Sequence, residues 1–198
     1  STPAPDAALL RAQLNALSTA GVAALTTGQV QALTTAQAAG LSTTNLGALT
    51  TAQVAAMETT DVTALTTAQI KSLSTATVAA LTTGQVAALK TTQLQALTTA
   101  QTTAMTTAQI QALTTAQVVG LSTANVAGLS TTNVAALTTV QVGALQTVQL
   151  NALSTAGVAA LTTGQVQALT TAQFANLSTT NLGALTAAQV APMETADV

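Results

Sequence analysis

A leucine or methionine stands at every eighth residue from Leu9 to Met193, without a single insertion or deletion. Of those 24 positions, 21 are Leu and three are Met (Met57, Met105, Met193). Numbering each octad from that residue, as in Leu25-Thr-Thr-Gly-Gln-Val-Gln-Ala32, gives a narrow alphabet. Position 2 is Ser or Thr in 19 of 24 copies, and position 3 is Thr in 22. Position 5 is Gln in 15, Asn in four and Asp in two, and position 6 is Val, Leu or Ile in 21, the exceptions being Ala38, Thr102 and Phe174. Position 8 is nearly always Ala or Gly. Strict self-similarity at a fixed period marks a stacked repeat architecture, in which each unit is one structural step. A phase held over so many copies implies a geometry that does not absorb one extra residue.

The spacing inside the octad has a physical meaning. A hydroxyl at position 2 and an amide three residues later form a capping box: the hydroxyl accepts from the N3 amide and the Gln side chain returns to the N-cap amide. Thr114 and Gln117 are one such pair, and the flanking Leu113 and Val118 are spaced as a hydrophobic staple. Each octad therefore opens a helix that must stop before the next begins, leaving roughly five to seven helical residues. That is below the ~12 residues an isolated helix needs in water, so stability has to come from stacking. The expected fold is all-α: a solenoid or superhelix of very short capped helices, one per 8-residue repeat. The alternative is a β-solenoid, since Thr and Val favour strands. Strand residues facing a core alternate with period 2, whereas here the apolar anchors fall at spacings of five and three, as in Val118 and Leu121. Leu and Val should line a thin core, with Thr and position 7 outside.

Residues 1–8 contain both early prolines, Pro3 and Pro5, lie outside the pattern and are expected to be a leader or linker. Residues 9–198 are expected to form a single continuous array of 24 units, whose first unit, lacking the hydroxyl cap, serves as a capping unit. Residues 17–62 recur at 153–198 with 41 of 46 positions identical, an offset of 136 residues or seventeen octads. This points to tandem duplication and to a segment of a longer array.

Eight side chains are charged: Arg11, Lys71, Lys90, Asp6, Glu58, Asp61, Glu194 and Asp197. The net charge of −2 and the lack of a basic stripe argue against nucleic acid. With no Cys and no His there is no disulfide framework and no Cys/His metal set. No apolar stretch approaches the ~18 residues of a membrane span. So little charge makes self-association an expected property.

The paired carboxylates Glu58/Asp61 and Glu194/Asp197 are the nearest thing to chemistry. Read as structure, Asp61 is the position-5 capping residue and Glu58 a substituted N-cap; a metal site needs several more oxygens. The Ser/Thr columns have no His to act as base. No catalytic, cofactor-binding or metal-binding residue is expected, and no enzyme. Arg11, Lys71 and Lys90 are expected to be solvating, and the three methionines core fillers. Thr at position 3 goes beyond what capping requires. Its rows suit a solvated face, a glycan attachment row, or an ice- or carbohydrate-facing surface.

The stretch Leu81-Thr-Thr-Gly-Gln-Val-Ala-Ala-Leu89 resembles the helix opening in repeats of transcription-activator-like effectors. The match covers nine residues; the longer unit, base-reading loop and basic charge of that family are absent, so DNA binding does not carry over. Nearly the whole chain is similar to Leu-Thr-Thr-Ala-Gln-Val arrays in large bacterial secreted or surface proteins of adhesin-like type. That resemblance implies an extracellular or cell-surface location and a structural role as stalk, spacer or filament element. The expected partners are neighbouring repeats or copies of itself; the alternative is a surface-binding module that presents its Thr columns to ice or carbohydrate.

Overall fold

The computed structural model describes residues 11–193. The linker expected at 1–8, the anchor Leu9 and the acids Asp6, Glu194 and Asp197 lie outside the described residues. Within them the chain is all-α, with 23 helices of four to six residues, α1 (Arg11–Ala16) to α23 (Ala187–Val190), one per octad. The described residues contain no strand, so the β-solenoid alternative falls.

Each octad divides into about six helical residues and a two-residue extended corner. Leu81 (φ −55°, ψ 136°) closes one helix and Thr82 (φ −69°, ψ 157°) caps the next. No described residue has a positive φ, so the corner needs no glycine. This six-plus-two division explains the rigid period, because one residue more would rotate every later helix out of its column. Thr and Val are indifferent helix formers, and these helices are too short to persist alone. Packing between turns holds them.

The chain comprises two compact units, Ser1–Leu97 and Thr98–Val198. Within each, a helix packs on the helix three places further along. In the first unit α4 (Thr35–Gly40) packs on α7 (Thr59–Ala64), and α7 on α10 (Thr83–Ala88). In the second, α13 (Thr107–Ala112), α16 (Thr131–Ala136), α19 (Thr155–Ala160) and α22 (Thr179–Ala184) follow one another in the same way. Three octads of eight residues therefore make one 24-residue turn of a helical solenoid.

The core is two columns. The position-1 Leu or Met and the position-6 Val, Leu or Ile are buried through most of the chain, Leu113 and Val118 among them. Met57 and Met105 fill the Leu column as expected, and Met193 is half-buried. Burying a Leu or Val stabilises by about 1.5–3 kcal/mol, and most octads bury one residue in each column. Ala38 and Thr102 are buried in place of Val, while the larger Phe174 is half-buried. Gly128 is fixed by a close approach between turns, since a Cβ there would lie 2.9 Å from Thr99 Cγ2 and 3.1 Å from the Thr99 carbonyl.

Candidate functional site

A third buried column is polar. Gln85 is 1% exposed and its side-chain amide is fully engaged. Its Oε1 accepts from the Thr82 backbone N–H at 2.8 Å, while its own backbone N–H donates to Thr82 Oγ1 at 3.1 Å, completing the expected capping box. The Nε2 then donates to the carbonyls of Val54 (2.9 Å) and Met57 (2.7 Å), 31 and 28 residues earlier. Those carbonyls belong to the last turn of α6 (Thr51–Ala56) and its C-cap; the Val54 carbonyl also accepts from the Met57 N–H at 3.2 Å, so the amide adds a second donor there. One amide thus caps the start of its own helix and the end of a helix in the turn below.

The pattern repeats at Gln53, Gln69 and Gln93 in the first unit. In the second unit it repeats at Gln141, Gln149, Gln165, Gln173 and Gln189, always to carbonyls 28 and 31 residues earlier. It explains the choice of residue. A capping box accepts Glu as readily as Gln, yet position 5 is never Glu. A carboxylate has no hydrogen to give to two carbonyls, and its charge would be buried against them. All buried side-chain polar atoms among the described residues have a partner.

At Asn45 and Asn181, where Asn replaces Gln, the side chain is one methylene shorter and does not serve both ends. Asn45 Nδ2 reaches the Leu14 carbonyl at 2.8 Å, but its octad has no complete capping box. The Ser42 N–H that a Gln would satisfy is taken instead by Asn15, a position-7 residue of the turn below, at 2.7 Å. Asn15 Nδ2 also donates to the Gly40 carbonyl at 2.8 Å, so its amide clasps both sides of the corner. The same arrangement recurs around Asn181, with Asn151 Oδ1 accepting from Ser178 N–H (2.7 Å) and Nδ2 donating to the Asn176 carbonyl (2.9 Å). Position 7 is therefore a second inter-turn contact in places, not simply an outside position. Thr103 Oγ1 likewise donates to the Gly128 carbonyl at 2.6 Å.

Seven overlapping stretches, 7–35, 30–59, 54–91, 86–115, 108–139, 115–147 and 141–171, match the profile of the ALTTAQ repeat. The chain belongs to the ALTTAQ repeat family. Its motif is spelled out by Ala112-Leu113-Thr114-Thr115-Ala116-Gln117, which runs from the end of one helix, through the corner, to the amide that closes the capping box on Thr114. No curated protein matches the chain.

Against this ALTTAQ framework the charged candidates separate. Asp61, 2% exposed, occupies the Gln column, but it does not complete a capping box as the sequence suggests. Its carboxylate accepts from the Thr35 hydroxyl at 2.9 Å, and it has no donor for the carbonyls 28 and 31 residues back. Glu58 is the exposed N-cap of the same helix and makes no side-chain cap bond. Lys71 and Lys90 are exposed. Lys90 stands at an N-cap without an acceptor, and only the Gln93 half of the box survives there, with Lys90 N–H donating at 2.9 Å. Arg11 opens α1. The described residues bring no three acids together.

The position-3 Thr residues are mostly exposed, and those stacked on one side are 24 residues apart. Thr107, Thr131, Thr155 and Thr179, at the starts of α13, α16, α19 and α22, form one such row. No helix among the described residues is long and apolar enough to cross a membrane.

The sequence reading missed the downward Nε2 bonds and the Asn clasps. The signal for the first was Gln without Glu at position 5. For the second it was the pairing of Asn15 with Asn45, repeated as Asn151 with Asn181.

Proposed function

We propose that this ALTTAQ array is a spacer or stalk in a secreted or cell-surface protein, its reach set by the number of octads. The observation carrying this reading is the uniformity of the inter-turn bond. The same amide reaches the same two carbonyls, 28 and 31 residues earlier, in both units. A protein whose repeated feature is the joint between turns is suited to length and rigidity rather than to a reaction. The likeness to adhesin-like bacterial arrays supports the outside location. The test is protease treatment of intact cells expressing the protein from its own gene. Cleavage without lysis is the expected result; protection until the cells are broken overturns the reading.

A second reading, a surface binder, rests on the exposed Thr rows. Its test is a block change of Thr107, Thr131, Thr155 and Thr179 to Gln. A scaffold keeps its helicity and shows no ice shaping or glycan binding before or after the change. Ice shaping or glycan binding that the change abolishes favours the binder.

A further inference from the structure

Asp61 stands in the buried amide column between Gln53 and Gln69, and the corner beneath it lacks the donors its neighbours have. The Nε2 of Gln53 donates to the Val22 and Leu25 carbonyls at 2.9 and 2.6 Å. That of Gln69 donates to the Ala38 and Leu41 carbonyls at 3.0 and 2.8 Å. Between these two corners lies the one from α3 (Thr27–Gln31) to α4, whose Val30 and Leu33 carbonyls hold the equivalent places, 31 and 28 residues before Asp61. A side chain of this length reaches such a corner, since Asn45 Nδ2 lies 2.8 Å from the Leu14 carbonyl. Asn brings hydrogens to that meeting; a carboxylate brings none. The Leu33 carbonyl accepts no hydrogen bond among the described residues. Asp61 is 2% exposed, and its carboxylate has one hydrogen bond, from Thr35 Oγ1 at 2.9 Å. No Lys or Arg among the described residues pairs with it. A buried carboxylate needs a compensating charge as well as a hydrogen bond.

We propose that a calcium ion supplies that charge, held by the Asp61 carboxylate, the Val30 and Leu33 carbonyls and Thr35 Oγ1. Glu58 and Asp61 alone give a metal too few oxygens, but the turn below contributes the others. All four donors are hard oxygens, which suit calcium and magnesium rather than a transition metal that prefers nitrogen or sulfur. Calcium tolerates an irregular shell completed by water, whereas magnesium demands a near-ideal octahedron. Thr35 is exposed and Leu33 half-buried, so the ion and its waters enter from that side. A single carboxylate makes a weak site, with a dissociation constant of about 0.1–1 mM. The assignment goes beyond the spacer reading and does not rest on it.

Amide hydrogen exchange of the 198-residue chain, with calcium chloride or with a chelator at fixed ionic strength, tests it. At about 10 mM calcium, exchange at residues 59–62 should slow roughly 10- to 100-fold. Sodium chloride of equal ionic strength, or magnesium, should change it less than about threefold. Asp61→Asn keeps the fold, because Asn already stands at this position in four octads, and loses the calcium response. Glu58→Gln alters an exposed acid of the same helix and keeps the response. Should circular dichroism show that Asp61→Asn loses helix, Thr35→Val replaces it and should cut the response about threefold or more. A parent chain that does not respond, or an equal response to sodium or magnesium, overturns the proposal. So does a response that survives the change at Asp61, or at Thr35 where that stands in, or one that Glu58→Gln abolishes.

Discussion

Leu46 and Leu182 occupy the same point of two stretches that share 41 of 46 residues, yet Leu46 is 0% exposed and Leu182 37%. The same contrast separates Val54 at 1% from Val190 at 42%. Sequence and local structure agree at both places: α5 (Thr43–Gly47) and α22 each open on a Ser N-cap whose hydroxyl accepts from the N3 Asn. What differs is the neighbour. Leu46 is roofed by α8 (Thr67–Ser72), which packs on α5. Burial in a repeat array is therefore a property of the stack, while capping is a property of the octad.

The most severe way to break that comparison is to leave the shape alone and change only hydrogen-bond donors. Gln85→Glu should cost about 3–5 kcal/mol, because it sets an unpaired buried carboxylate against two carbonyls. Gln29→Glu, in a half-buried capping box, should cost less than about 0.5 kcal/mol. Denaturant titration of both variants checks this, and equal losses would mean that the downward bonds contribute nothing. Next in size, Leu46→Ala should destabilise by about 3 kcal/mol through cavity formation, and Leu182→Ala by about 1 kcal/mol or less. Similar shifts in the thermal midpoint for the two would contradict the roofing argument.

The Asn clasps sharpen the comparison, since they lie below the roofed and unroofed leucines alike. Asn15→Ala and Asn151→Ala should each cost about 1–2 kcal/mol, measured by hydrogen exchange at Ser42 and Ser178. Adding Asn45→Gln to Asn15→Ala should restore much of the loss, because the longer amide reaches the Ser42 N–H itself. A strictly additive double variant would show that the two residues are not coupled. An effect of opposite sign is expected from Asp61→Gln. It supplies the missing donors to the column and should stabilise by about 1 kcal/mol, read as a higher denaturation midpoint.

Much of this was legible in the sequence because it depends on residues close together in the chain. The helix start at Thr114, the return of Gln117 and the staple of Leu113 and Val118 are local, and each octad states them again. The three-octad turn was not legible. It depends on the angle made by two extended residues at each corner, and no residue type marks that angle. The second role of Gln was hidden behind the first, since a capping box accounts for Gln without asking what its nitrogen does. Asp61 was misread for the same reason. At position 5 it looks like a cap, but its short carboxylate finds the Thr35 hydroxyl from the neighbouring turn.

The engaged amides have a consequence for how such a protein ages. Glutamine slowly hydrolyses to glutamate, and here that conversion would turn the donor of two inter-turn bonds into a buried negative charge. Water is the reagent, and Gln53, Gln85, Gln93 and Gln165 are 1–2% exposed, so the stack shields the groups whose loss would open it. Each turn contacts only its neighbours, so a single hydrolysed amide should loosen one joint and leave distant turns intact. Damage in such an array would accumulate as isolated weak joints, beginning at Gln173, which is 6% exposed and bonds to the Val142 and Leu145 carbonyls.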